Sequence, residues 1–423
     1  MRLLLVEPAV YTPEGLDKRE MRPTQLISLT LPYLAAMVPP DWEVDLAYEV
    51  CEDLENDYDL ASYDVVGITT QTIQLKRTLE LTRLVRRHGP RVIVGGPATV
   101  EDGHSLVPVI KRFADAVVVG EADLLWRDVL ADLAAGKPLR KVYESALAVP
   151  MNGHPLPRFD LVDFSKIETP HVLPSLTARG CPRRCTFCSE FLYSKWRLRP
   201  VDDVVGELLA YRDTFGIPRV VFRDDDFLVH PKRSVELLGR IAGEGIEWGC
   251  QTDFNLARHP EVVDAALAGG MRVVSFGVES VREQNRRLTE KTFFTIPEAE
   301  DLLLRLHEAG VETQVNVIFG FDWDDPDVFE ETYQFAMRTK VSRLFLSVLY
   351  PIAGTPLYES LRAEGRLLEE RPQGIDDPLA VTFRPKLLTP EQLVEGYLDV
   401  ERRFAESDPS ERVYWLGPDL VVV

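Results

Sequence analysis

Short β-rich runs alternate with stretches of helical periodicity twice along this chain, and that alternation admits little except parallel sheets linked by helical crossovers. In the first series, strands are expected at residues 3–6, 44–48, 65–69, 91–94 and 116–119, with helical pattern over 75–88 and 124–134. Three of these strands end in Thr69-Thr70, Gly95-Gly96 and Gly120-Glu121, at the carboxyl edge where open α/β sheets bind ligands. Tight strand-to-helix turns account for the same glycines equally well. A stretch over 148–170, broken by Pro150, Pro155 and Pro157, reads as a linker. A second series then places strands at 172–177, 220–222, 247–252, 272–276, 313–319 and 344–350, with helices over 204–211, 235–242, 261–268 and 297–309. Six such β/α units make an incomplete barrel rather than a closed eight-fold one. The expected class is α/β: a Rossmann-like parallel sheet over 1–140, a linker over 141–170, a partial (β/α)6 TIM barrel over 171–364, and a small α+β C-terminal region over 365–423.

Composition narrows the partners. The 423 residues carry 48 Lys and Arg against 68 Asp and Glu, a formal charge of −20, which argues against a nucleic-acid backbone or an anionic membrane surface as main partner. No uninterrupted run of about 18 apolar residues is present, so no membrane span is expected. The opening MRLLLVEPAV is too brief for a secretory signal, and five unevenly spaced cysteines do not make a disulfide scaffold. A cytoplasmic, reducing setting is the expectation.

Three of those cysteines fall in Arg179-Gly-Cys-Pro-Arg-Arg-Cys-Thr-Phe-Cys-Ser189, so Cys181, Cys185 and Cys188 are spaced C-x3-C-x2-C. Clustered thiolates are the soft ligands of zinc and of iron–sulfur clusters. Zinc wants a fourth protein ligand close by, and the candidates are poor: His171 lies ten residues upstream and Cys250 belongs to another β/α unit. Three thiolates leave a cubane one ligand short, and the open iron can then bind a small molecule directly.

Here the sequence resembles the radical S-adenosylmethionine (radical SAM) superfamily, whose defining motif is this C-x3-C-x2-C with an aromatic before the last cysteine, matched by Phe187. The resemblance implies a 4Fe–4S cluster on Cys181, Cys185 and Cys188, with SAM chelating the fourth iron and being cleaved reductively to a 5′-deoxyadenosyl radical. Further fragments resemble the family's strand-end motifs in order: Phe222-Arg-Asp-Asp-Asp-Phe227, Phe276-Gly-Val-Glu-Ser280, Val317-Ile-Phe-Gly-Phe-Asp322 and Tyr350-Pro-Ile-Ala-Gly-Thr-Pro-Leu-Tyr358. By that resemblance Asp225, Glu279 and Ser280 face the SAM amino group or ribose hydroxyls, and Gly320 admits the adenine ring. A capping carboxylate in a strand-to-helix turn is the plainer reading of at least one of Asp224 to Asp226. Arg197 and Arg199 read either as surface ion pairs or as a carboxylate clamp on SAM, and His230 as a loop histidine. Cys51 and Cys250 are too few for an auxiliary cluster and read as small buried hydrophobes.

The upstream parallel domain resembles the cobalamin-binding domain of the class B radical SAM enzymes, through Asp64-Val-Val-Gly-Ile-Thr-Thr70, Val94-Gly-Gly-Pro97 and Val119-Gly-Glu-Ala122. The resemblance assigns Thr69, Thr70, Gly95, Gly96, Gly120 and Glu121 to the cofactor. The Asp-x-His-x-x-Gly motif that gives cobalt a histidine ligand is missing, as it is in family members that hold cobalamin with no protein imidazole. A degenerate domain that binds nothing is the alternative. Gly365-Arg366, Thr382-Phe383-Arg384-Pro385 and Leu388-Thr-Pro-Glu391 resemble members that act on isoprenoid lipids such as hopanoids. The whole implies a cobalamin-dependent radical SAM enzyme that methylates an unactivated carbon of a small-molecule or lipid substrate. SAM would serve as both methyl donor and radical source, and an electron donor such as flavodoxin or ferredoxin would supply the reductant. The rivals are a radical SAM oxidoreductase, cyclase or rearrangement enzyme without methyl transfer, and a non-catalytic metal-binding scaffold.

Overall fold

The structure is a computed structural model that describes residues 1–12, 15–16, 27–100, 106–145, 148–167, 172–368 and 379–415. The chain divides into two compact units, Met1–His171 with Pro372–Asp376, and Val172–Arg371 with Asp377–Val423.

In the first unit β1 (Arg2–Glu7), β2 (Glu43–Tyr48), β3 (Val65–Thr69), β4 (Arg91–Gly95), β5 (Ala116–Val119) and β6 (Val142–Glu144) form one parallel sheet in the order β2-β1-β3-β4-β5-β6. Leu3 to Val6 are all buried, as a strand covered on both faces requires. Helix α1 (Leu75–His88) lays Leu75, Leu81 and Val85 into the core and stops at Gly89, whose left-handed backbone ends the helix. Helices α2 (Val107–Phe113) and α3 (Ala122–Ala134) follow β4 and β5. The five expected strands are present. Val142–Glu144, inside the stretch read as linker, is a sixth: three residues carry no usable periodicity, and only pairing with β5 makes them a strand. Strand order reverses between β1 and β3, the switch point at which sheets of this kind open a crevice at their carboxyl edge.

In the second unit β7 (Leu173–Ser175), β8 (Arg219–Phe222), β9 (Glu247–Thr252), β10 (Met271–Glu279), β11 (Glu312–Phe319) and β12 (Arg343–Val348) each pair in parallel with the next, leaving β7 and β12 at the two edges of a partial barrel. Helices α4 (Val201–Phe215), α5 (Pro231–Ile241), α6 (Pro260–Ala268), α7 (Glu283–Leu288), α8 (Ile296–Glu308) and α9 (Asp327–Arg338) connect them. Register divides the faces. Cys250, Val274 and Thr313 align on one, all buried, and Gln251, Ser275 and Gln314 align on the other. After α10 (Pro356–Ala363), the C-terminal helix α11 (Pro390–Glu406) packs on α9 and β12. The following segment reaches the amino ends of the strands. There the Trp415 backbone N–H donates to Glu312 Oε2 at 2.7 Å and its indole Nε1 to Glu247 Oε2 at 3.2 Å.

Candidate functional site

The cysteine loop follows β7 through a short antiparallel pairing of Ala178–Arg179 with Arg197–Leu198. Gly180 is required at its start: a Cβ there would lie 3.0 Å from the backbone of Ser194 to Trp196. Thr186 ties the loop to the end of α7, its hydroxyl donating to the Leu288 carbonyl at 3.1 Å. Arg183 anchors the other side, donating to Asp253 Oδ2 at 2.6 Å with its guanidinium 4.2 Å from the Phe293 ring centre. All three thiols are free. Backbone N–H groups point at two of them, Arg183 N to Cys181 Sγ at 3.4 Å and Glu190 N to Cys188 Sγ at 3.5 Å. Burial pushes Cys181 up to about 12, and it pushes Cys185 up to about 11 against the opposing pull of Lys291. Burial raises Cys188 as well.

Buried thiols that resist ionisation, two of them already facing backbone N–H donors, suit a bound cation that shares the thiolate charge. Among the described residues no three His, Cys, Asp or Glu side chains converge on one point, as a single metal ion would require. A cubane asks for something else, since each thiolate binds its own iron. His171 lies outside the described residues, and Cys250 is fully buried in β9. The donor set therefore fits a cluster with one iron lacking a protein ligand.

The acidic motif after β8 splits by role. Asp224 is buried and accepts from the backbone of Thr177 and Ala178 and from the Thr177 hydroxyl, so it fixes the segment after β7 rather than capping a helix. Asp225 is half-buried beside the cysteines, and burial together with the facing Glu190 pushes it up to about 7. Asp226 is buried, accepts from Thr252 Oγ1 at 2.8 Å, and is driven up by burial and by Asp253. Ser280 Oγ accepts from Asn285 Nδ2 at 3.1 Å, and Asn285 also donates to Asp324 Oδ1 at 2.7 Å. Asp324 in turn accepts from Gly320 N at 2.8 Å and Phe321 N at 3.0 Å. Phe321 meets Phe187 edge-on with ring centres 6.0 Å apart. Glu279 sits next to Ser280 and pairs with Lys291 at 2.7 Å.

Two expectations change, those for Gly320 and Arg199. Gly320 was expected to leave room for a flat ring, but a Cβ there would lie 2.9 Å from Phe383, so the room is taken by the C-terminal segment. Arg199 is neither a surface ion pair nor a clamp: it is buried and bonded to Glu207 at 2.9 Å and to the Leu176 carbonyl at 2.8 Å. His230 caps α5, its Nδ1 accepting from Arg233 N at 3.3 Å. Arg197 donates to the Lys195 carbonyl at 2.9 Å.

Reading motifs overlooked Arg183, Asn285, Lys291, Gln314, Asn316 and Asp324. Gln314 and Asn316 bond Ser275 Oγ at 3.2 and 2.8 Å and make a polar row on the face opposite Val315 and Val317. Their alternation with valines along β11 was a usable signal. For Lys291 and Asp324 the sequence held none.

In the first unit, Thr69, Thr70, Gly95, Gly96, Gly120 and Glu121 lie together along the carboxyl edge of β3, β4 and β5. Thr70 is buried, its Oγ1 accepting from Thr78 Oγ1 at 2.8 Å, and Glu121 Oε2 accepts from Val149 N at 3.2 Å. Gly96 is required by packing, since a Cβ there would lie 2.6 Å from Thr70 N, whereas at Gly120 the nearest atom in that direction is the Ser145 carbonyl oxygen at 3.9 Å. Among the described residues no helix is long and apolar enough to cross a membrane.

Comparison with known proteins agrees with this geometry. Residues 175–336 match the family model described as the radical SAM superfamily. Bacteriochlorophyllide d C-12(1)-methyltransferase of Chlorobaculum tepidum is 29% identical over 356 residues, covering 81% of this chain and 75% of the relative. Hopanoid C-2 methylase of Rhodopseudomonas palustris is 25% identical over 80% of this chain and 64% of its own length. The radical SAM methyltransferase TsrM from Kitasatospora setae, with tryptophan and a SAM analogue bound, superposes with a TM-score of 0.69 at 18% identity, over 99% of this chain and 92% of that one. The same enzyme with cobalamin and a 4Fe–4S cluster gives 0.66 at 17% identity, over 94% and 81%. With its cysteine loop and strand-end motifs in place, residues 175–336 form a radical SAM domain, and the fold of the whole chain is similar to that of TsrM.

Proposed function

We propose that this chain is a cobalamin-dependent radical SAM enzyme that methylates an unactivated carbon of a small molecule or lipid. The observation that carries the reading is the free, half-buried to buried triad of Cys181, Cys185 and Cys188 at the carboxyl mouth of a partial barrel, in a chain that also has a parallel-sheet unit upstream. Cys181, Cys185 and Cys188 would hold the cluster, with the Arg183 and Glu190 N–H groups offsetting thiolate charge. When bound, the cluster supplies one electron that breaks the C5′–S bond of SAM. Asp225, Glu279 and Ser280 would orient the amino and ribose groups, and Phe187 would help close the mouth to water. Thr69, Thr70, Gly95, Gly96, Gly120 and Glu121 would hold cobalamin, which supplies a methyl carrier. The names of the relatives support methyl transfer to carbon positions of a chlorophyll-type macrocycle and a hopanoid, and support tryptophan as a substrate in one of them.

Anaerobic reconstitution with iron, sulfide and cobalamin tests this. The reduced protein is expected to cleave SAM to 5′-deoxyadenosine and to retain corrin absorbance, and Cys185→Ala to abolish cleavage at least a hundredfold. Zinc with negligible iron in anoxically prepared protein would overturn the reading. A substrate product heavier by one methylene supports methyl transfer, whereas loss of hydrogen or an unchanged mass favours the oxidoreductase or rearrangement reading.

The reductant is proposed to be an acidic one-electron carrier of the flavodoxin or ferredoxin kind. Segment 179–199 carries Arg179, Arg184, Lys195 and Arg197 against Glu190, with Arg183 and Arg199 already paired to Asp253 and Glu207, in a chain of net charge −20. Arg184 and Lys195 are exposed, and Gly180 brings the Lys195 backbone against the cysteine loop. Lys195→Glu is expected to slow carrier-driven SAM cleavage several-fold, more at low salt than high, with dithionite-driven cleavage unchanged. Equal slowing with both reductants would remove this assignment.

A further inference from the structure

The inner face of the partial barrel ends in a polar floor. The Phe319 ring packs on Phe329 of α9 with centres 4.9 Å apart, so the face of β11 that carries Val315, Val317 and Phe319 turns to the helices. The opposite face looks into the barrel. There Gln251, Ser275 and Gln314 stand side by side across β9, β10 and β11, with Asn316 one pleat nearer the carboxyl mouth. Gln314 is 3% exposed and Ser275 fully buried. Beneath this row Trp415 bonds Glu312 and Glu247 at the amino ends of the strands. Arg343, the cation level with Gln314, is paired with Glu312, so the row itself is neutral.

The hydrogen bonds decide which atoms of that row are left over. Asn316 Nδ2 donates to the Phe276 carbonyl at 3.3 Å and to Ser275 Oγ at 2.8 Å. A backbone carbonyl only accepts, which fixes the Asn316 amide and turns its Oδ1 the other way. Gln314 Nε2 donates to that Oδ1 at 2.9 Å and to Ser275 Oγ at 3.2 Å, and so spends both of its hydrogens. Gln251 Nε2 donates to the Asp225 carbonyl at 3.2 Å. The two carbonyl oxygens, Gln251 Oε1 and Gln314 Oε1, accept from none of the described residues. An acceptor left unmade in a buried setting is costly, so this floor calls for a donor. Beside it, Phe345 on the edge strand β12 is level with Asn316 on the same face and is 52% exposed. Half-buried Ile318 continues that apolar wall toward the mouth.

We propose that this floor and wall select the substrate: Gln251 and Gln314 receive its hydroxyl or N–H group, and Phe345 carries the apolar body that joins this group to the reacting carbon. The proposal rests on the radical SAM reading above and deepens it. A few placed polar groups in an otherwise apolar cleft are how such sites fix orientation. Two acceptor oxygens with no free cation turn away a carboxylate or phosphate head. Ser275 comes four residues before Glu279, about 13 Å of strand, so the anchored group and the reacting carbon lie well apart and the substrate is elongated.

The test uses 2-naphthol, 2-methoxynaphthalene and 2-naphthoate, which share one apolar body and present a hydroxyl, no donor and an anion. Binding to the full-length reconstituted protein is measured by equilibrium dialysis. Wild type is expected to hold 2-naphthol at least tenfold more tightly than either of the others. Gln314→Met and Gln251→Met are each expected to shrink that preference, and the double variant to abolish it. Phe345→Ala is expected to weaken 2-naphthol and 2-methoxynaphthalene alike and keep their ratio. If Gln314→Met fails to fold, Gln251→Met and Phe345→Ala decide. Equal binding of the hydroxyl and the methyl ether to wild type would show that water alone takes these oxygens, and would overturn the inference. So would a preference that survives loss of the glutamines, or no measurable binding of any of the three. SAM cleavage by the same wild-type protein is read alongside: its absence sinks the enzyme reading, whereas cleavage without a hydroxyl preference strikes only this inference.

Discussion

Asp324 shows how much can rest on one side chain. Its carboxylate is 1% exposed yet accepts from Gly320 N, Phe321 N and Asn285 Nδ2, tying the end of β11 to α7 and, through Asn285, to Ser280. Burial pushes it up to about 6 in spite of those donors. A carboxyl raised above its unfolded value favours the protonated native state, so its contribution to stability falls as pH rises from about 4 to about 6 and is flat above. Asp324→Asn removes that titration. The stability of wild type relative to the variant is therefore expected to drop by about 3 kcal/mol across this window, read by urea unfolding at closely spaced pH values. Parallel pH profiles for the two proteins would show that the native carboxyl is not raised above its unfolded value. Asp324, like Lys291, was invisible to motif reading because its meaning lies in partners from other strands.

At the scale of elements, α4, α5, α6 and α8 were legible because each carries a signal in its own few residues. Helix α8 opens with Thr295-Ile-Pro-Glu298, proline in its first turn, and a capping box in which Thr295 N donates to Glu298 Oε2 at 2.7 Å and Glu298 N to Thr295 Oγ1 at 3.4 Å. Thr295→Ala is expected to cost about 1 kcal/mol in chemical denaturation. The hydrogen-bonded Arg258 guanidinium holds Glu298 down to about 2. Its contribution is thus present above the ordinary glutamate range and lost as pH falls from about 4.5 to about 2, opposite in direction to Asp324. Strand β6 had no such local signal, and Arg199 had a misleading one, because a basic residue beside the cysteine loop looks like a ligand-binding group until Glu207 is found beneath it. Burial of that pair means Arg199→Met should cost several times more than a surface ion pair, about 3 kcal/mol or more, whereas Arg199→Met with Glu207→Leu should recover much of the loss.

At the scale of the molecule, charge and chain ends matter most. The net charge of −20 is not spread evenly, since the segment around the cysteines is basic, and an acidic redox carrier would meet that face against a background that repels it elsewhere. The C-terminal segment is part of the second unit rather than an appendage. Trp415 bonds Glu312 and Glu247, and the Arg343 guanidinium lies 5.1 Å from the Tyr414 ring centre while pairing with Glu312. Trp415→Ala is expected to destabilise the second unit by about 1–3 kcal/mol and leave the unfolding of the first unchanged, measured with separate reporters for the two transitions.

The sequence alone determined the two β/α series, the incomplete barrel and the cysteine spacing, because hydrophobic period and ligand spacing are written within a few consecutive residues. Tertiary structure alone decided which distant side chains meet: Lys291 on Glu279, Asp253 on Arg183, Phe383 over Gly320, and Trp415 at the amino end of the strands. Each joins residues distant in the chain, and such contacts depend on strand order and register, which no local pattern encodes.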